Sequence, residues 1–247
     1  MNGISKLNSH QVHFTLQGKG GVGKSYVSSL LIQYIQSRRQ LVTVVDTDPV
    51  NATLSGYKSF NTQRLELMEN GVLIERNFDK LIEQVIEQNT NFVIDNGASS
   101  FIPLSSYITE NDAINLILES GKEVIIHTVI TGGQALRDTL NGFASLVEQM
   151  PDNAKLVIWL NEFFGYIEAE GKIFEEMKIY QNNKDRVYGI VRIARHTAST
   201  FGEDVKLMLD KKLSFEEINQ SPEFGIMSKS RLMKVKNNIF EQLGTII

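Results

Sequence analysis

At 247 residues with 42% apolar side chains, the chain is long enough for one large α/β domain and apolar enough to bury a core. A formal net charge of −4 argues against a surface coated in positive charge, and the absence of cysteine excludes disulfides, cysteine-based zinc sites and iron–sulfur clusters held by this chain. No stretch reaches the roughly 18 uninterrupted apolar residues of a membrane span, the start MNGISKLNSHQVHFTL lacks the apolar core of a secretory signal, and no repeat or linker divides residues 1–247, which are expected to form a single domain.

The first predicted strand covers residues 12–16, with His10 and His13 at its start expected on the surface. It runs into Gly18-Lys19-Gly20-Gly21-Val22-Gly23-Lys24-Ser25, which satisfies the pattern G-x-x-x-x-G-K-[S/T] between a strand and a helix. Glycines let several backbone N–H groups turn inward on one anion, and the helix that follows adds the positive end of its dipole. In such a loop Lys24 reaches the β- and γ-phosphates of a nucleotide and Ser25 binds Mg²⁺. A second lysine, Lys19, lies in the same loop.

Helix 25–38 carries Val27, Leu30, Leu31, Tyr34 and Ile35 at helical spacing. A strand at 41–46 ends in VVDTDP, where Asp46 and Asp48 share one side of an extended chain; an Asp-Pro turn is the plainer reading. After a helix at 78–88 comes the strand NFVID, whose last residue, Asp95, fits a carboxylate that holds Mg²⁺ through water. A strand at 123–128 leads through Gly132-Gly133 into a helix at 134–149, and a strand at 155–160 stops at Asn161. A strand at 186–190 precedes Arg192, Arg195 and His196, which face either a ligand or partner or form a basic surface loop, and a helix at 197–209 follows. The four histidines show no metal-ligand spacing backed by carboxylates. The final stretch places Leu232, Val235, Ile239 and Leu243 on one helical face beside Lys229, Arg231, Lys234 and Lys236. Packing on the sheet, contact with an anionic membrane and contact with DNA phosphates are three readings of it, the first favoured. Strands that read as continuous apolar runs and alternate with helices imply a doubly wound, mainly parallel sheet with helices on both faces and ligands at the strands' carboxyl ends.

KGGVGKS resembles the deviant Walker A motif of the ParA/MinD family of nucleotide-dependent dimerising ATPases. The resemblance spans residues 12–200 and implies a single P-loop domain that takes ATP and Mg²⁺. It implies that Gly18, Lys19, Gly20, Gly21, Val22, Gly23, Lys24 and Ser25 hold the nucleotide, and that Asn161 pairs an amide donor and acceptor with adenine. It implies that Lys19 reaches across a dimer to the partner's phosphates, that Lys24 and Asp48 complete the catalytic group with Asp48 on the attacking water, and that Asp46 joins Ser25 and Asp95 around the metal. No Asn-Lys-x-Asp run specifies guanine, which favours ATP over GTP. Where the family has prolines after the strand-three aspartate, this chain has Asn96-Gly97-Ala98, so contacts of that segment are left unassigned.

DTDPVNAT, VIDNGASSFIPLSSY and RNFDKLIE are most similar to the TraL proteins of conjugative plasmid transfer. That similarity implies a slow, partner-stimulated ATPase switch in plasmid DNA transfer or mobilisation, in the cytoplasm or peripherally at the inner membrane. Its partners would be a second copy of itself, relaxosome or secretion-channel proteins, and DNA directly or indirectly. The alternatives are a DNA partition ATPase, a MinD-like membrane-cycling regulator and, last, an ATP-dependent ligase of metabolism. An iron–sulfur carrier is disfavoured by the lack of cysteine.

Overall fold

Val12 and Phe14 alternate with His13 and Thr15 along the first strand, and all four are fully buried. Alternate residues point to opposite faces, so this strand lies between two covering layers. The computed structural model describes residues 9–49, 51–69, 72–74 and 76–247. The first eight residues, part of the leader reading, and Val50 of DTDPVNAT fall outside them. Strands β1 (Gln11–Thr15), β2 (Val42–Asp46), β3 (Gln63–Arg64), β4 (Asn91–Asp95), β5 (Glu123–Thr131), β6 (Lys155–Asn161) and β7 (Val187–Ile193) form one sheet, with every neighbouring pair parallel. The spatial order is β7-β6-β5-β1-β4-β2-β3. The chain starts at the centre, winds out to β3, returns through β4 and then winds the other way, so the order reverses beside β1. That reversal opens a crevice at the carboxyl end of β1, the place where doubly wound sheets bind ligands.

The helices longer than one turn are α1 (Lys24–Ser37), α2 (Asn77–Glu87), α3 (Phe101–Glu110), α4 (Ala113–Glu119), α5 (Leu136–Gln149), α6 (Glu203–Asp210), α7 (Phe215–Gln220) and α8 (Ile226–Ile246). Residues of α2, α3, α4 and α5 pack with Val12, Phe14, Phe92, Ile94, Ile126 and Ile158 on one face. Those of α1, α6, α7 and α8 pack with Val93, Ile125, Val129, Val157 and Trp159 on the other. The period-2 split of each strand's residues between the two cores is what a sheet covered on both sides requires. The expected doubly wound fold is therefore the one found.

The six expected strands are all present, β4 with the expected bounds and the others with shifted ends. β5 continues to Thr131, whose hydroxyl donates to Asn161 O at 2.9 Å, so a polar residue is buried there without breaking the strand. β7 runs to Ile193 and takes Arg192 into the strand rather than after it. Helices α3 and α4 were not expected; Pro103 sits in the first turn of α3, where a missing N–H costs no intrahelical bond. In α8, Leu232, Val235, Ile239 and Leu243 are all buried against the sheet, and Arg231 pairs with Asp204 at 2.5 Å. The apolar face of this helix is thus core, and truncating any of the four to alanine would cost about 2–5 kcal/mol. Among the described residues no helix is long and apolar enough to cross a membrane.

His13 corrects the sequence expectation. It is fully buried because β1 is central, so both of its faces are covered. Its Nδ1 lies 2.9 Å from Nε2 of buried His127, and Trp159 Nε1–H donates to His127 Nδ1 at 2.9 Å. An indole nitrogen can only donate. His127 therefore carries its proton on Nε2 and donates it to His13 Nδ1, which leaves the proton of His13 on Nε2, a buried atom with no partner among the described residues.

Burial holds His13 down at about 3 and His127 well below the usual histidine range. Both are neutral when folded and ordinary, near 6.5, when unfolded. Below pH 6.5 the unfolded chain binds the extra protons, so the pair's contribution to stability is lost as pH falls and is intact above about pH 7. Between pH 7 and 5.5 each histidine removes roughly 1 kcal/mol. The His13→Leu protein is expected to lose about 1 kcal/mol less than the parent over that interval, measured by urea unfolding; the comparison cancels the titrations of groups that His13 does not touch. Equal losses in the two proteins would contradict the assignment.

Candidate functional site

Strand β1 hands the chain to the glycine-rich loop through Leu16, whose N–H donates to His127 O at 2.8 Å. Val22 is buried at 1% exposure and pins the loop into the core, while Gly21 (φ +74°) and Gly23 (φ +103°) take left-handed conformations on either side of it. A Cβ on Gly23 would stand 2.8 Å from Asn161 Nδ2, so that position is closed to other residues by space as well as by φ. The helix begins at once: Val27 N–H donates to Gly23 O at 2.9 Å, which leaves the first-turn amides of α1 facing the loop.

Lys24 is 8% exposed and folds back so that Nζ donates to Lys19 O at 2.9 Å. Burial lowers its pKa, and the carboxylates of Asp95 and Asp48 oppose that shift. Asp95, 2% exposed at the end of β4, accepts from Ser28 Oγ at 2.8 Å and from the Ser25 hydroxyl. Burial pushes its carboxyl up to about 7, Asp46 adds to that rise, and the two serines and Lys24 pull against it. The sequence-expected residues Ser25, Lys24, Asp48 and Asp95 are thus gathered at one strand edge.

Asp46 holds the main chain that follows it. It is fully buried, Oδ1 accepts from Asp48 N at 3.0 Å and Oδ2 from Leu54 N at 3.1 Å. Both oxygens therefore hold the backbone of the segment that carries Asp48. Asp48 Oδ1 accepts from Asn51 N at 2.9 Å, and a Cβ on Gly97 would lie 2.5 Å from Asp48 Cγ. For a divalent cation, Ser25 and Asp95 offer one hydroxyl and one carboxylate, hard oxygen donors that are already hydrogen-bonded to each other. No cluster of three or more His, Cys, Asp or Glu that could hold a metal occurs among the described residues. This donor set fits Mg²⁺, which takes one or two protein oxygens and completes its shell with phosphate and water, better than an all-protein metal cage.

Lys19 points the other way from Lys24. Its ammonium pairs with Asp138 in the first turn of α5 at 2.7 Å, the two side chains being 44% and 52% exposed. Its backbone N–H donates to Oε1 of Gln17 at 3.4 Å. Gln17, missed from the sequence, is fully buried and its Nε2 donates to Val129 O at 3.0 Å and Thr139 O at 3.2 Å. It joins the loop to β5 and α5, and a Cβ on Gly142 of α5 would collide with its Oε1. The only sequence signal was a polar residue wedged between an apolar strand and the glycines.

Beside the loop lies a cavity of about 740 Å³, walled by Gly21, Gly23, Asn161 and the side chains of Phe163, Phe164, Tyr166, Arg195, His196 and Phe201. The Arg195 guanidinium sits 5.0 Å from the Tyr166 ring centre, and His196 stacks on Phe201 at 4.6 Å. Arg195 and His196 therefore face the cavity, whereas Arg192 pairs with Glu162 and Glu175 at 2.6 Å each. Glu162 also receives the Arg195 N–H at 3.4 Å, so the arginine–glutamate group fixes the cavity's rim. Asn161, 3% exposed, donates through Nδ2 to Val22 O at 2.9 Å and accepts at Oδ1 from Phe163 N at 3.2 Å. Its amide bridges the phosphate loop and the rim.

Gly142→Ala is expected to destabilise the protein by about 1–3 kcal/mol through overpacking against Gln17. Combined with Gln17→Ala, the loss should be smaller than the sum of the single losses, as read by chemical denaturation; strict additivity would mean the two residues do not press on each other.

Residues 14–206 match the family described as the CobQ/CobB/MinD/ParA nucleotide binding domain. The chain is 47% identical over 233 residues to a Protein TraL of Escherichia coli, covering 94% of this chain and 97% of that protein. In fold it is similar to the MinD cell division protein of Aquifex aeolicus, with TM-score 0.51, 14% identity and coverage of 94% and 97%. It is likewise similar to a plasmid partition protein of Borrelia burgdorferi bound to AMPPNP, with TM-score 0.51, 15% identity and coverage of 96% and 100%.

Proposed function

The chain belongs to the CobQ/CobB/MinD/ParA family of nucleotide-binding domains and within it to the TraL proteins, and from that premise we propose that it is a Mg-ATP-dependent dimerising ATPase switch serving plasmid DNA transfer. One observation carries the reading: two lysines of one loop are held in opposite ways. Lys24 is buried within the loop, and Lys19 is half-exposed and tied only to a surface carboxylate.

In this reading the loop amides and Lys24 take the β- and γ-phosphates, and Ser25 and Asp95 hold Mg²⁺ directly or through water. The metal neutralises charge on the phosphate oxygens. Asp48 orients the water for in-line attack, from a segment that Asp46 braces. The contribution is positioning and charge neutralisation rather than covalent chemistry. Lys19 supplies its charge to the phosphates of a second copy, which makes dimerisation depend on nucleotide. An exposed ion pair such as Lys19–Asp138 is worth about 0–1 kcal/mol, so releasing it is no obstacle. The aromatic cavity beside the loop suits an adenine, and Asn161 keeps a second N–H and a second lone pair with which to read its edge while it holds Val22 O and Phe163 N. The AMPPNP carried by the similar partition protein supports ATP as the nucleotide. Hydrolysis is slow and stimulated by a partner of the transfer machinery. A membrane-cycling role through α8 is disfavoured because its apolar face is already core.

Lys19→Ala is expected to bind ATP but remain monomeric in light-scattering chromatography, while the parent dimerises with ATP and not ADP. A variant that dimerised and hydrolysed ATP like the parent would refute the trans role. Because cation binding needs the Asp95 carboxylate, and burial raises that group to about 7, the Mg²⁺-dependent part of ATP affinity should fall roughly tenfold between pH 8 and pH 6. Calorimetric titration with Mg²⁺ and with EDTA isolates that part, and Asp95→Asn should lose the slope.

A further inference from the structure

Asn96 stands between Asp95 and Gly97, is 1% exposed, and was assigned no role from the sequence. Its Oδ1 accepts from Thr47 Oγ1 at 3.0 Å and from Ser100 Oγ at 2.7 Å. Thr47 is the residue between Asp46 and Asp48, on the segment after β2. Ser100 precedes α3, on the segment after β4. Three further contacts tie Thr47 to the end of β4 and the segment after it: Thr47 N–H donates to Asp95 O at 2.9 Å, Thr47 Oγ1 lies 3.0 Å from the same oxygen, and Ser100 Oγ lies 3.3 Å from Thr47 O. The neighbours on each side, Asp48 and Gly97, pack so closely that a Cβ on Gly97 would lie 2.5 Å from Asp48 Cγ. We propose that Asn96 is a positioning residue that locks the segments after β2 and β4 into one unit and so fixes Asp48 against Gly97.

An amide suits the place. A carboxylate would add a fourth negative charge beside Asp46, Asp48 and Asp95, and an apolar side chain would leave the Thr47 and Ser100 hydroxyls competing for main-chain oxygens. Nδ2 of Asn96 is buried and has no partner among the described residues. An orphaned donor is a cost that a purely structural linker avoids and that functional sites keep. The consequence for catalysis is that a ligand ordering either segment orders both. Binding of the γ-phosphate near one segment and placement of the water by the other become a single event. This catalytic consequence rests on the ATPase reading above; the lock itself does not.

The test uses Asn96→Ala, Thr47→Val and the double variant in the full chain. In hydrogen exchange without nucleotide, the amides of Asp48, Asn51 and Leu54 should exchange at least tenfold faster in each single variant, while those of β1 and β5 keep the parent rate. The double variant should accelerate exchange by less than the product of the two single effects, since both singles remove the Thr47–Asn96 bond. Unchanged exchange at the three amides, or acceleration spread equally over β1 and β5, would overturn the lock. With a fluorescent ATP analogue, Asn96→Ala should bind within about threefold of the parent and hydrolyse at least tenfold more slowly in single turnover, a split that general loss of folding would not produce. Parent-like hydrolysis by Asn96→Ala would overturn the positioning role. If the parent itself binds ATP without hydrolysing it, the ATPase reading fails, and the exchange data still decide the lock. Should Asn96→Ala prove poorly folded, Ser100→Ala removes the other hydroxyl and is read by the same exchange criterion.

Discussion

Lys24 and Asp95 are both buried at the carboxyl edge of the central strands, and this shared desolvation is the constraint around which the rest is arranged. A buried charge is tolerated only when paired and hydrogen-bonded. Asp95 has Ser25, Ser28 and the field of Lys24; Lys24 has a main-chain oxygen of its own loop. Burial still outweighs these partners, raising the carboxyl and lowering the ammonium. In the proposed reading, a polyanion beside Lys24 and a divalent cation beside Asp95 would each offset that burial.

The glycines around this edge work as a set of sockets. Phe101 of α3 covers Gly18, Ala98 lies nearest Gly20, Asp48 covers Gly97 and Asn161 closes over Gly23. Gly18, Gly23 and Gly97 each leave out a Cβ where a residue from another segment sits. The phosphate loop, the two strand-end segments and the cavity rim are thereby packed on one another rather than hung independently from the sheet. A loop with so much intrinsic freedom keeps one shape because its neighbours occupy the space that freedom would use.

The continuous apolar runs of the inner strands made the parallel sheet legible, and G-x-x-x-x-G-K-[S/T] after the first of them made the loop legible. Residues whose task is to hold others were not. His13 read as surface because its polarity was weighed without knowing that β1 is central, and a central parallel strand has no outer face. Gln17 and Asn96 follow strand ends, where any polar residue reads as a turn; only the contacts to Thr139 on α5 and Thr47 after β2 reveal what they join. Asp46 was placed near the metal by resemblance; that it is the last residue of β2 and that its oxygens accept from the backbone that follows could be read only from the structure. Arg192 looked like part of a basic loop because charge was read without its two glutamates, one of them seventeen positions away. Local pattern carries elements and motifs; pairings across long separations are set by topology.

The Asn161 amide has one further implication. It touches Val22 of the phosphate loop with one end and Phe163 of the cavity rim with the other. In the proposed reading, a base that used the second N–H or lone pair of this amide would share it with the contacts that shape the loop and the rim, so the two ends of a nucleotide would not bind independently. Phosphates that ordered the loop would alter what the base meets, and a base that recruited Asn161 would alter what the phosphates meet. Free energies of the fragments, nucleoside on one side and inorganic polyphosphate on the other, would then not sum to that of the whole ligand, and discrimination among bases would be felt at the phosphate end of the molecule.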